Sequence, residues 1–364
     1  MRSLRVALAS LCAALPAAHA QATVGPSGLS ASIDSIVRTD LLARGATSVS
    51  IVITRGNETL VARTWGLADV EARRPADRAT AYRLGSMSKQ FTAALLLRQV
   101  ERGKLSLGDS IGRYLTGLKP EWTGRTVEQL LNHTSGLPRD FREVKRVGEN
   151  LPTDSLIALA ARTTAPTAPA GSTFIYSNTG YMLLAALVEK LYGKSYGDVL
   201  RDEIARPLGL TTIGWCGDLE AAGRVAKGYV VGAGGTVGAA MYLHPSQLLA
   251  GGVCSNAADI ATWNRALHGG KVVSAASYLA MTTPRGVAAT RSVPYGFGMY
   301  VRGTPGGGKV IVTDGATPGF ANENVWYPAE SLSITMLTNT SGPVSADANL
   351  TEAMGRLVLA TPVR

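Results

Sequence analysis

The sequence predicts an α+β fold: an antiparallel sheet flanked by N- and C-terminal helices, with a large, mainly helical insertion. Three observations predict it. A strand–turn–strand pattern lies near the N-terminus, four strand-like runs return after residue 295, and helical periodicity marks both ends of the chain. Neighbouring strands joined by short turns pair antiparallel, and helices from the two termini can cover one sheet face. A doubly wound parallel sheet needs strands alternating with helices throughout, and that alternation is absent.

The elements follow in order. Leu29 to Arg44 places Ile33, Ile36, Val37, Leu41 and Leu42 on one helical face, and Gly45 suits the position that ends a helix. Ser48–Thr54 and Thr59–Trp65 read as strands, with Arg55-Gly56-Asn57-Glu58 as their hairpin turn. A helix-rich stretch runs from about Ser86 to about Leu279. Strand signals return at Tyr295–Arg302, Lys309–Thr313, Glu323–Tyr327 and Ser331–Leu337. An amphipathic helix over Ala346–Leu359 (Leu350, Met354, Leu357, Val358) closes the chain. The expected organisation is a sheet domain formed by 21–85 and 290–364, and a mainly helical domain over 86–289.

Residues 1–20 have the form of a cleavable export signal: Arg2 and Arg5, the apolar run Val6–Leu15, then Ala18-His19-Ala20. The run is too short to span a bilayer, and no later stretch approaches eighteen consecutive apolar residues. The expected location is therefore secreted or periplasmic, and the chain is not expected to span a membrane. Export permits a disulfide between Cys216 and Cys254, though two small buried thiols would look the same in sequence. There is no CxxC or HExxH, so no metal and no cofactor is expected.

The chain has 364 residues and a formal charge of +10. Nucleic-acid binding would cluster that charge with stacking aromatics. Here the densest basic group (Arg139, Arg142, Lys145, Arg146) alternates with Asp140, Glu143 and Glu149, and aromatics are 6%. Two nucleotide-like patterns also fail. Gly303–Lys309 has P-loop spacing but is followed by Val310 and a strand, and Gly232, Gly234 and Gly238 lack a βαβ setting. His133, His244 and His268 have no G-x-S-x-G serine to serve.

The chemistry concentrates in three blocks. In Tyr82–Thr92, Ser86 falls at the start of a helix whose periodic residues are Phe91, Leu95, Leu96 and Val100. Backbone amides at that helix start favour a developing alkoxide. Lys89, three residues on, stacks on the same face, and a lysine desolvated beside a serine can take its proton. A capping serine beside a surface lysine has the same spacing, so the pair needs company. In Tyr176-Ser177-Asn178 the tyrosine can shuttle a proton if nearby cations lower its pKa, and Asn178 offers an amide to a substrate carbonyl. In Thr313-Asp314-Gly315-Ala316-Thr317-Pro318-Gly319-Phe320 an edge strand can pair with an extended substrate through Thr313, Gly315 and Ala316. The amides of Ser86 and Ala316 complete an oxyanion hole.

These blocks, in this order, resemble the serine hydrolase family of class C β-lactamases, DD-peptidases and related esterases. Leu130–Pro138, Gly251–Asp259 and Tyr295-Gly296-Phe297-Gly298 extend the likeness over most of the chain. The resemblance implies Ser86 as nucleophile, Lys89 and Tyr176 as its proton-handling partners, and Asn178 as a substrate contact. It also implies a β-lactamase/transpeptidase-like fold with the site between sheet and helices, and a structural role for His133. One position departs: the family has Lys or His where this chain has Thr313, which brings no charge. The reading is an exported hydrolase acting on a small-molecule or peptide ester or amide through an acyl-enzyme. The alternatives are a β-lactamase or DD-peptidase, or a catalytically weak binder of cell-wall peptides.

Overall fold

The computed structural model describes residues 27–141, 152–232, 237–239, 250–304, 307–342 and 349–360. The expected leader, most of the charged 139–149 segment, Gly234 and His244 lie outside them. A seven-stranded sheet carries the fold, in the order β3-β2-β1-β12-β11-β10-β9. Its strands are β1 (Ser48–Arg55), β2 (Glu58–Asp69), β3 (Arg74–Pro75), β9 (Tyr300–Gly303), β10 (Lys309–Thr317), β11 (Phe320–Tyr327) and β12 (Leu332–Thr338). Every pairing in it is antiparallel, with Ile51 opposite Met336 and Thr313 opposite Asn324.

The alternation of side chains splits the core between the two sheet faces. On one face Val49, Ile51, Ile53, Val312 and Ile334 meet the terminal helices α1 (Ser27–Ile36) and α5 (Asn349–Ala360), through Leu29, Ile33, Met354 and Val358. On the other face Val52, Ile311, Trp326 and Leu337 join the core around α2 (Lys89–Glu101), α3 (Asn178–Tyr192) and α4 (Ala257–His268). The first α-helix stops at Ile36, and the run continues to Arg44 as a wider π turn (Val37–Leu41) and then a tighter 3-10 turn (Leu42–Arg44). Gly45 then ends the run at φ +101°, with its N–H on the Leu42 carbonyl.

Two strand boundaries move in ways that shape the site. β9 begins at Tyr300, because Tyr295–Gly298 turns back against α2. A Cβ on Gly298 (φ +76°) would stand 2.7 Å from the Lys89 carbonyl oxygen. β10 runs on to Thr317, four residues beyond the expected end. Since β9 leaves β10 at Val312, residues 313–317 pair only with β11 and keep one edge open.

Two small three-stranded sheets were not legible in the sequence. One joins β13 (Thr340–Ser341), β6 (Tyr229–Val231) and β7 (Val237–Ala239). The other joins β4 (Tyr82–Arg83), β8 (Val253–Ser255) and β5 (Gly214–Trp215). Strands of two or three residues show no period.

Cys216 and Cys254 form a disulfide, closing a loop over a sequence separation of 38. Cys254 lies on β8, opposite Arg83 of β4 and Gly214 of β5. Cys254→Ser is expected to lower unfolding stability by about 2–4 kcal/mol. Thermal unfolding with and without reductant checks it; an unchanged midpoint would show that the bridge adds nothing.

Candidate active site

Ser86 sits in a single 3-10 turn, Gly85–Ser88, that feeds directly into α2. Two backbone segments, 251–253 and 315–316, clamp this turn. Leu84 N–H donates to the Val253 carbonyl at 2.9 Å, and Val253 N–H donates to Ser88 Oγ at 3.2 Å. Gly251 lies so close to Gly85 that a Cβ on it would be 3.1 Å from the Gly85 carbonyl carbon. From the sheet side, a Cβ on Gly315 would stand 1.9 Å from the Leu84 carbonyl oxygen and 2.9 Å from the Met87 nitrogen. Only glycine permits that approach. It brings Ala316 alongside: a Cβ on Gly85 (φ +56°) would lie 3.1 Å from the Ala316 nitrogen. Ser86 and Ala316 are thus neighbours, as an oxyanion hole from their two amides requires.

Lys89 is 1% exposed, and its Nζ donates to Ser86 Oγ and to Asn178 Oδ1, each at 2.9 Å. Burial pulls its pKa down to about 7. Asp314 and Asp140 oppose the fall, and Arg139 assists it. Near neutrality much of Nζ is therefore a free amine, a base within reach of the serine proton. The hydrogen bond then reverses, with Ser86 donating.

Tyr176 completes the group, its hydroxyl close enough to Ser86 for the serine to act on its pKa. Its ring lies under the Lys89 amine at 4.9 Å and beside His133 at 4.2 Å. The sequence expectation was a phenol lowered by cations. Burial instead pushes this pKa up, past what Ser86 and Arg139 pull back. Tyr176 is a neutral phenol at neutral pH, able to donate and relay, and Lys89 is the neighbouring group placed to take a proton.

Asn178, expected as a substrate contact, is held by its neighbours in this structure. It is 4% exposed, with Oδ1 on Lys89 and Nδ2 on Asp140 Oδ1 at 2.9 Å, so both ends of the amide hold neighbouring side chains. Its position follows from the start of α3. Ser177 caps that helix through Gly180 N–H at 2.9 Å, and its hydroxyl donates to the Pro138 carbonyl at 2.7 Å. His133 accepts the Ser177 N–H at Nδ1, 3.0 Å away. His133 is fully buried, with burial holding its pKa well below the usual imidazole range. It braces the loop that carries Tyr176.

On β10 the expected substrate contact Thr313 is buried. Its side chain is 4% exposed, and its hydroxyl accepts from Asn324 Nδ2 at 3.2 Å and Gln90 Nε2 at 3.4 Å. Strand alternation turns it inward and turns its neighbour Asp314 out to solvent. Asp314, Asp140 and the rings of Tyr181 and Tyr295 are the site residues that sequence reasoning missed. Of these only Asp314 carried a signal, a lone acid on the outward phase of the strand.

In the stretch with P-loop spacing, β9 ends at Gly303 and β10 starts at Lys309, with Thr304 N–H on the Gly308 carbonyl and Lys309 Nζ on the Thr282 carbonyl. Among the described residues no group of three or more His, Cys, Asp or Glu is placed to hold a metal ion. Nor is any described helix long and apolar enough to cross a membrane.

A seven-stranded antiparallel sheet packed on helices, with a serine turn at their junction, defines a β-lactamase/transpeptidase-like serine hydrolase. The Beta-lactamase family model matches residues 33–358, and the chain belongs to that family. It is 26% identical to Penicillin-binding protein 4* of Bacillus subtilis (strain 168) over 336 residues, covering 86% of this chain and 72% of that one. It is similar to the octameric penicillin-binding protein homologue from Pyrococcus abyssi (25% identity, TM-score 0.77, 90% of this chain and 76% of that one). It is also similar to D-amino acid amidase from Ochrobactrum anthropi SV3 complexed with L-phenylalanine (26% identity, TM-score 0.77, 92% and 98%).

Proposed function

We propose that this protein is an exported serine hydrolase that cleaves an ester or amide through a covalent acyl-enzyme on Ser86. The observation that carries the reading is the buried Lys89 amine, 2.9 Å from Ser86 Oγ and held near a pKa of 7 by burial. Lys89 takes the hydroxyl proton as Ser86 Oγ attacks the substrate carbonyl carbon. The amides of Ser86 and Ala316 receive the developing oxyanion. The proton then passes through Tyr176 to the leaving atom as the carbonyl–leaving-group bond breaks. Water, deprotonated by the same pair, attacks the acyl-enzyme and frees Ser86.

The substrate is a small molecule or peptide. An ester or neutral amide is favoured over a β-lactam or a D-Ala-D-Ala peptide, because residues 313–317 of β10 present no cation for a substrate carboxylate. Its inward residue is Thr313 and its outward residue is Asp314. The names of the similar proteins, a penicillin-binding protein and an amidase, keep the β-lactamase or DD-peptidase reading as the second one. The export signal and the division into sheet domain and helical domain belong to this proposal. A chromogenic ester, nitrocefin and a D-Ala-D-Ala peptide assayed side by side test it. Turnover of the ester with little or none of the other two is expected. Dominant nitrocefin or peptide cleavage would overturn the preference.

A further inference from the structure

Asp140 has no part in the steps above, yet a hydrogen bond joins it to the groups that carry them out. Ser86 Oγ, Lys89 Nζ, the Asn178 amide and the Asp140 carboxylate form a continuous chain in which each link is 2.9 Å long. The far end of that chain is docked by backbone. Ser177 Oγ donates to the Pro138 carbonyl at 2.7 Å, and the N–H groups of Asn178 and Thr179 donate to the Arg139 carbonyl at 2.7 and 3.1 Å. None of these three bonds uses the Asp140 side chain. Its carboxylate adds Oδ1 as the acceptor of Asn178 Nδ2, and its Oδ2 lies 3.7 Å from Arg139 Nε.

The two ends of the Asn178 amide are chemically opposite, and the base needs one of them. A lysine that has lost its proton keeps two N–H groups and gains one lone pair. An acceptor on its Asn178 side takes an N–H and leaves the lone pair free for the Ser86 hydroxyl proton. A donor on that side would occupy the lone pair, and would oppose the protonated form as donor against donor. A carboxylate only accepts hydrogen bonds. Asp140 therefore holds Nδ2, which turns Oδ1 towards Lys89.

We propose that Asp140 is a positioning residue for acylation: through the Asn178 amide it aims the Lys89 lone pair at Ser86. This rests on the acyl-enzyme reading above and adds to it the residue that orients the base.

Asp140→Asn tests it in the full chain, alone and combined with Asn178→Ala, by stopped-flow release of the leaving group of a chromogenic ester. The new amide keeps the shape but can offer Asn178 either a donor or an acceptor, so the orientation is no longer dictated. The acylation rate is expected to fall by about tenfold, the scale of one charge-assisted hydrogen bond, with half-saturation nearly unchanged. In the Asn178→Ala background the same change is expected to cost little, because the connection is already lost.

The pH profile is a readout that packing alone would not move. The charges acting on Lys89 are those of Asp314 on β10 and of Arg139 and Asp140. The rings of Tyr176 and Tyr181 lie 4.9 and 5.4 Å from Nζ, and His133 nearby is fully buried with its pKa held well below the usual imidazole range. Removing one carboxylate leaves the others in place and favours the free amine, so the rise in kcat/KM is expected to move below about 7. A wild-type acylation rate in Asp140→Asn would overturn the inference, as would a slower variant whose pH rise stays where it was. Losses that multiply in full in the double variant would also overturn it, since Asp140 would then act independently of Asn178. A wild type that neither hydrolyses the ester nor is acylated on Ser86 would overturn the acyl-enzyme reading and this inference with it.

Discussion

Lys89→Met is expected to lower kcat/KM on any ester the wild type hydrolyses by about 10³–10⁴-fold, because it removes the base and keeps the volume. Stopped-flow release of a chromogenic leaving group measures the loss. In the wild type, kcat/KM is expected to rise as the pH passes through about 7, where Nζ loses its proton. That rise is expected to be absent from the variant's residual activity.

The same shift gives a stability signature of opposite sense. The unfolded lysine keeps its proton up to its ordinary value of 10.5, while the folded one releases it at about 7. Between those limits the unfolded chain binds more protons, so the wild type gains stability as pH rises through the window. The variant carries no such cost. Lys89→Met is therefore expected to be more stable than the wild type at pH 7 and below, with the advantage fading towards pH 10.5. Thermal unfolding across that range measures it. A variant that is both inactive and less stable at every pH would mark Lys89 as a packing residue.

Gly315→Ala is the second large effect expected. The added methyl would stand 1.9 Å from the Leu84 carbonyl oxygen and 2.9 Å from the Met87 nitrogen, backbone atoms on either side of Ser86. Backbone cannot step aside as a flexible side chain does, so β10 and the Ser86 turn must part. A displacement of about 1 Å at reacting groups costs on the order of 10²-fold in rate. Overpacking of this kind costs about 1–3 kcal/mol of stability. Both losses are expected in one variant, the first in kcat and the second in the thermal midpoint. Wild-type kinetics in Gly315→Ala would show that the strand and the turn are not in register contact.

What could be read from the sequence depended on the range over which the determining contacts act. Ser86 and Lys89 are three residues apart on one helical run, so their contact is local and the periodicity of Phe91, Leu95 and Leu96 reveals it. The long strands β1, β2, β10, β11 and β12 have enough residues to show strand character. Those of the small sheets, such as Tyr82–Arg83, have two or three. The directions of the side chains were harder. Tyr176 was expected to be acidified by cations. It is instead surrounded by His133, Lys89 and Tyr295, which come from three distant parts of the chain, and burial there outweighs the nearby charge. The partners of Asn178, Asp140 and Lys89, one at each end of its amide, also come from distant parts of the chain. On β10 the decisive fact is alternation. Extending the strand past Thr313 turns that residue in and Asp314 out, and a strand ended at Thr313 hides this.

The central claim is that Ser86 is the atom acylated. Incubation with an active-site-directed fluorophosphonate, followed by mass spectrometry of the intact protein and its peptides, tests it directly. One adduct per chain on the peptide containing Ser86 is expected, forming faster as pH rises through about 7 and absent in Ser86→Ala. An adduct on another residue, or labelling that persists in Ser86→Ala, would contradict it.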